Sequence, residues 1–186
     1  MRLAARADSR RRAQSLVAAL EAQVRDRLGG LIFGADDDTL EGVIAGLLAG
    51  RHMSVTAVEL GTGGSISRRL SENRLGSDLF RDGLVLPDVA ALRRVLAVEV
   101  EPADPVGLVV RAAQRARLLY DASLGLAAMV HESGPGSEPG VALFAALAWA
   151  DGSHHLERRY GGHFGLAPQW MASLALGMLW KHLRAG

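Results

Sequence analysis

Three observations predict a three-layer α/β/α sandwich with a mixed sheet. Apolar runs of strand length alternate with amphipathic stretches of helix length. The helical stretches carry start signals, and one late pair of runs is separated only by a tight turn. Alternation of this kind places helices on both faces of a largely parallel sheet, and the tight turn adds an antiparallel hairpin.

The elements follow in order. Residues 2–7 alternate as a short strand, and Ser9 starts a helix with Ala13, Leu16, Val17, Leu20, Val24 and Leu28 on one stripe and Glu21 and Asp26 opposite. Gly29-Gly30 ends it. Asp38, followed three residues later by Glu41, predicts a capping box for a helix with Leu40, Val43, Ile44, Leu47 and Leu48 on its inner face. Capping accounts for the three aspartates at 36–38 better than a cation site does. A buried strand is expected over 55–60, followed by the turn Gly61-Thr62-Gly63-Gly64 and a helix over 65–72 with Ile66 and Leu70 inward. A second strand is expected over 79–86, stopped by Pro87, and a short helix over 89–98. Asp104-Pro105 opens another helix with Val106, Val109, Val110 and Ala113 inward. The uninterrupted apolar run 124–130 reads as a central strand covered on both faces, and the glycine-proline loop 133–137 follows it. Residues 141–150 and 154–160 form the hairpin around Asp151-Gly152, and Pro168 opens a last helix ending near Leu183.

With 186 residues, about half of them apolar, the chain supports one main domain and a small appendage. The expected division is 1–30 and 31–186. One strand and one helix cannot bury a core, so the first segment is expected to belong to something larger. The arginines at 2, 6, 10, 11 and 12 read as the solvated face of the first helix, not as a targeting segment. No apolar run approaches the roughly 18 residues of a membrane span. The absence of cysteine excludes disulfides and thiolate metal sites, so the cytoplasm is the expected compartment. No metal and no cofactor are expected. A net charge of +1 gives no support for nucleic-acid binding. Lys181 is the only lysine, so a lysine base is available only near the C-terminus.

The richest chemistry lies in the turn. A strand that ends in glycines and passes into a helix gathers backbone N–H groups at the positive end of a helix dipole, which suits a phosphate. Gly61, Thr62, Gly63, Gly64 and Ser65 are therefore the candidate anion site. The same glycines also suit a tight turn with no ligand. Elsewhere, His131-Glu132 with Ser133 reads as a solvated loop. His154-His155 with His163 is a poor metal set, because neighbours on a strand point to opposite faces. Trp149, Trp170, Met171, Met178 and Trp180 are expected in a core or a subunit interface.

Ile32-Phe33-Gly34, Asp36, Thr39-Leu40-Glu41, the strand ending in Glu59 and Thr62-Gly63-Gly64 together resemble the C-terminal domain of the CinA, or competence- and damage-inducible protein, family. The similarity continues through Asp104-Pro105-Val106, the Gly134-Pro135-Gly136 loop and the final helix, and so covers essentially the whole chain. Residues 2–28 are similar to the end of a KH-type connecting region. The family includes nicotinamide mononucleotide deamidases, so the resemblance implies a phosphorylated pyridine nucleotide as ligand and a homodimer or higher homo-oligomer. It also implies a serine nucleophile assisted by a tyrosine and a lysine. Matched by motif, those three positions fall on Leu60, Pro87 and Leu92. Leucine and proline neither attack a carbonyl nor carry a proton. The expected function is a deamidase-like domain that has lost its activity and serves as a structural, dimerising or ligand-binding module. The alternative is an active deamidase using Thr62 or Ser65 as substitute nucleophile.

Overall fold

The computed structural model of the protein describes residues 2–72, 78–99, 104–132 and 140–185. The chain divides into two compact units, Met1–Asp38 and Thr39–Gly186. Residues 31–38, assigned above to the main domain, therefore group with the first helix.

In the first unit, α1 (Arg10–Leu28) starts at Ser9, whose hydroxyl accepts a hydrogen bond from the Arg12 N–H at 3.3 Å. No residue of α1 is buried, and Leu16, Leu20 and Leu28 on its apolar stripe are exposed. The strand expected over residues 2–7 does not form. A strand exists only through ladder bonds to a neighbour, and no described segment pairs with this one. The chain leaves α1 through a 3-10 turn, Gly29–Leu31, as the glycine pair predicted.

The second unit carries α2 (Leu40–Gly50), β1 (Val55–Leu60), α3 (Ser65–Glu72), β2 (Phe80–Leu86), α4 (Val89–Leu96) and α5 (Pro105–Leu119). After these come β3 (Leu124–Glu132), β4 (Val141–Trp149), β5 (Gly152–Tyr160) and α6 (Ala167–Ala185). The capping box at Asp38 is not observed. Thr39, with the extended backbone of an N-cap, accepts from the Gly42 N–H at 3.1 Å, while the Asp38 carboxylate accepts from Ala35 N–H at 3.0 Å. The cap must directly precede the first helical residue, Leu40, which leaves Asp38 one position too early.

The sheet has the order β2-β1-β3-β4-β5. β1 runs parallel to β2 and β3, and β3, β4 and β5 are successively antiparallel. Alternate strand residues feed two cores. Val55, Ala57, Leu126, Ala145 and Leu147 pack with α2, α3 and α6, while Val58, Leu60, Met129, Phe144 and Ala146 pack with α4 and α5. The three layers and the buried central strands are as predicted. α5 differs in rotation: Leu108, Val109, Ala112, Ala113 and Ala116 are buried, while Val106 and Val110 are only partly so. The row of alanines allows close approach, so close that a side chain on Gly125 in β3 would collide with the Ala113 carbonyl. In the hairpin, Trp149 pairs with Gly152, which puts Ala150-Asp151 in the turn and Gly152 in the strand. A Cβ there would lie 3.0 Å from the Trp149 ring, so the glycine makes room for the indole. Among the described residues no helix is long and apolar enough to cross a membrane.

Candidate functional site

β1 and β2 end side by side with Leu60 paired to Leu86, and Leu60 also pairs with Met129 of β3. The carboxyl ends of parallel strands are where open α/β folds place their ligand crevices. The turn 61–64 leaves β1 at this edge and enters α3. It holds three glycines in the left-handed region: Gly61 (φ 69), Gly63 (φ 61) and Gly64 (φ 76). A Cβ on Gly61 would stand 2.8 Å from the Val130 carbonyl oxygen, so β3 and the turn require glycine twice over. Among the described residues nothing lies within 4 Å of a Cβ built on Gly63.

Successive residues of β1 point to opposite layers, and this separates Glu59 from Leu60. Glu59 is fully buried on the α3 side. Its carboxylate accepts from the Thr62 hydroxyl at 2.6 Å, the Ile66 N–H at 2.9 Å, the Ser67 N–H at 2.8 Å and the Ser67 hydroxyl at 2.6 Å. Glu59 is thus the anion at the start of α3. It takes the Ile66 and Ser67 N–H groups, which lie just beyond the 61–65 stretch read from the sequence as the candidate anion site, and opposes the positive end of the helix dipole. Ser67 reaches it because Gly83 of β2 has no side chain, and a Cβ there would collide with the Ser67 hydroxyl. Farther along α3, Arg69 pairs with Glu41 of α2 and donates to the Ser173 hydroxyl of α6 at 2.9 Å, tying the three helices together.

Within the candidate anion site, Thr62 is buried and its hydroxyl is committed to Glu59. The Ser65 hydroxyl donates to the Thr62 carbonyl at 2.8 Å, and Ser65 N–H donates to the same oxygen at 3.2 Å. The N–H groups of Gly63 and Gly64 donate no hydrogen bond among the described residues. Thr62 with Glu59 has the separation of a hydroxyl and its base, but both are closed off from solvent. Sequence reasoning missed Glu59 as that partner. The available signal was a carboxylate at the last turn of a buried strand, three residues before the threonine.

The positions matched to the family's catalytic serine and lysine lie on the other face. Leu60 is 4% exposed and Leu92 fully buried, and both belong to one apolar cluster with Leu86, Leu96, Met129 and Phe144. Pro87 is exposed in the link from β2 to α4, where Asp88 caps the helix by accepting from Ala91 N–H at 2.6 Å. His131 and Glu132 are exposed at the end of β3, whereas Ser133 and the Gly134-Pro135-Gly136 loop lie outside the described residues. The His154 and His155 rings stand 6.5 Å apart on β5, and His163 accepts from Gly165 N–H at 3.2 Å. Among the described residues no three His, Cys, Asp or Glu side chains gather in a set able to hold a metal. Met171, Met178 and Trp180 are in the core, and Trp149 packs at its edge against His182. Trp170 is 55% exposed beside Tyr160.

No family model matches the chain. A protein of Moorella thermoacetica that carries the competence-damage inducible name is 35% identical over 201 aligned residues, covering 100% of this chain and 47% of that protein. A CinA-like protein of Synechococcus is 31% identical, covering 95% of this chain and 44% of its own length. The chain therefore spans about half the length of these relatives. Among solved structures, a competence/damage inducible protein of Agrobacterium tumefaciens matches with a TM-score of 0.65 at 26% identity, over 82% of this chain and 98% of that one. A competence or damage-inducible protein of Enterobacter asburiae matches with a TM-score of 0.70 at 20% identity, over 79% of this chain and 99% of that one. With the fold, the turn and its supporting residues in place, these similarities put the chain in the CinA, or competence- and damage-inducible protein, family.

Proposed function

We propose that this is a CinA-type, deamidase-like domain without amidase chemistry, acting in the cytoplasm as a structural, dimerising or ligand-binding module. The observation that supports it is the shared burial of Leu60 and Leu92 in one apolar cluster. Amide hydrolysis needs an accessible nucleophile beside a base, and a packed hydrocarbon core supplies neither. The remaining hydroxyls at the turn, on Thr62 and Ser65, are engaged in internal hydrogen bonds.

The test is release of ammonia from nicotinamide mononucleotide by the purified protein. The expected rate equals that of a protein-free control. Saturable release, abolished by Thr62→Ala or Ser65→Ala in a folded sample, would replace this reading with the active alternative.

A second reading, a retained anion site over Gly61–Ser65, is favoured by the Gly63 and Gly64 N–H groups, which donate no hydrogen bond among the described residues, and by the lack of any described neighbour within 4 Å of a Cβ on Gly63. Because Glu59 holds the Ile66 and Ser67 N–H groups, such a site would consist of the outer face of the turn alone. Calorimetric titration with nicotinamide mononucleotide, its deamidated acid and inorganic phosphate tests it. Heat with all three supports an anion site in the turn, and no heat at millimolar concentration leaves the glycines a purely conformational role.

A further inference from the structure

The two edges of the sheet are unlike. β2 has seven residues, and its register with β1 is irregular between Val55 and Ala57. β5 has nine residues, contains no proline, and pairs with β4 through nine successive partners without a bulge. A long, regular edge strand offers a row of backbone groups to another strand unless its side chains oppose pairing. On β5 the side chains favour one particular partner.

We propose that β5 pairs antiparallel with β5 of a second copy about a two-fold axis at Arg158, joining two five-stranded sheets. This gives the dimerising role proposed above a surface, and rests on that reading. The register follows from the order Leu156-Glu157-Arg158-Arg159-Tyr160. Centred on Arg158, it puts Glu157 directly opposite the partner's Arg159, and Arg159 opposite the partner's Glu157, on the α5 side of the sheet. On the α6 side it puts Leu156 opposite the partner's Tyr160, and the reverse. Acid thus faces base twice and aliphatic faces aromatic twice, each a favourable cross-strand pair. Centring on Glu157 instead sets that carboxylate against itself and Leu156 against Arg158. The single like-charge meeting is at the axis, where the Arg158 guanidinium is turned to the Glu157 carbonyl oxygen at 2.8 Å.

The α6 side of this edge continues into an exposed apolar patch. Trp170 leans on Tyr160 with ring centroids 5.6 Å apart, and Leu166, 48% exposed, precedes it in the turn before α6. A second copy brings its own Leu156 and Tyr160 against this patch. A strand-edge contact alone would bury little apolar surface, and the patch supplies the remainder.

Light scattering across a concentration series tests the proposal, with the full chain expected to dimerise. Glu157→Arg and Arg159→Glu each turn two attractive pairs into repulsive ones and should weaken dimerisation roughly tenfold or more. The double swap Glu157→Arg/Arg159→Glu restores the pairing and should restore the dimer. Because the chain has no cysteine, Arg158→Cys should also form a covalent dimer on oxidation. Opposed Cα atoms at the axis stand about 5 Å apart, within disulfide reach. Ser153→Cys, displaced along the strand, should not cross-link. A wild type that stays monomeric overturns both the interface and the dimerising role. A dimer unaffected by either single charge reversal overturns the interface alone. Deamidase activity is read separately and is unaffected by either result.

Discussion

Glu59 and Leu60 are neighbours on one strand with opposite fates. Glu59 points into the α2, α3 and α6 layer and is buried with four hydrogen bonds converging on its carboxylate. Leu60 points into the α4 and α5 layer and is buried among hydrocarbon with Leu92. On the first side the polar support of the turn is complete. On the second, the two positions that the family resemblance matches to a serine and a lysine, Leu60 and Leu92, lie in the core. The difference teaches that a glycine turn can take its polar support from one face of a sheet while the other face is packed with hydrocarbon, because alternate residues of one strand feed two separate apolar clusters.

The largest effect is expected from Glu59→Ala. It leaves buried hydroxyl and N–H donors of Thr62, Ile66 and Ser67 without an acceptor, and should cost at least about 3 kcal/mol in urea unfolding. A loss under about 1 kcal/mol would mean that Glu59 is not the anchor of the turn. Next, Leu60→Ser replaces core hydrocarbon with a hydroxyl that lacks a partner, with an expected loss of about 2–4 kcal/mol. It should also be inactive toward nicotinamide mononucleotide, since the apolar cluster around Leu60 holds no base among the described residues. Appearance of activity would show that the α4 and α5 side still holds a hidden catalytic arrangement.

The glycines sharpen the contrast further. Gly61→Ala must adopt a positive φ and meet the Val130 carbonyl at 2.8 Å, whereas Gly63→Ala meets only the positive φ. Gly61→Ala should therefore lower the unfolding midpoint well beyond the roughly 1–2 kcal/mol expected for Gly63→Ala. Equal losses would show that close approach to β3 contributes nothing.

The smallest expected effect lies at the far end of Glu59's side, where His182 of α6 packs on Trp149 with ring centroids 4.4 Å apart. Burial, followed by the nearby charges of Arg51 and His154, lowers the His182 pKa below 6.5. The unfolded chain therefore binds the proton more readily. Stability from this contact is complete above about pH 6.5 and declines as the pH falls toward and through the lowered value. Between pH 8 and pH 5 the wild type should lose slightly more stability than His182→Gln. Parallel pH profiles for the two proteins would remove this contribution.

Much of the main domain was legible locally. The apolar runs at β1 and β3 announced central strands, Asp104-Pro105 announced α5, and the glycines announced a turn between β1 and α3. What misled was local pattern without its partners. Residues 2–7 alternate like a strand but have no described strand to pair with, and Asp38 satisfies a capping motif one position before the true cap. The inner face of α5 depended on how closely its alanines approach Gly125, a distance that exists only between elements.

At the candidate site the division is similar. Residue identity alone determined that Leu60, Pro87 and Leu92 carry no nucleophile and no proton, and that three glycines bend the chain after β1. Tertiary structure decided that Glu59 meets the Ile66 and Ser67 N–H groups at the start of α3, and that Leu60 and Leu92 share one core. Side-chain chemistry is a property of each residue by itself. Which donors meet which acceptors, and which leucines exclude water together, depends on packing between elements distant in sequence.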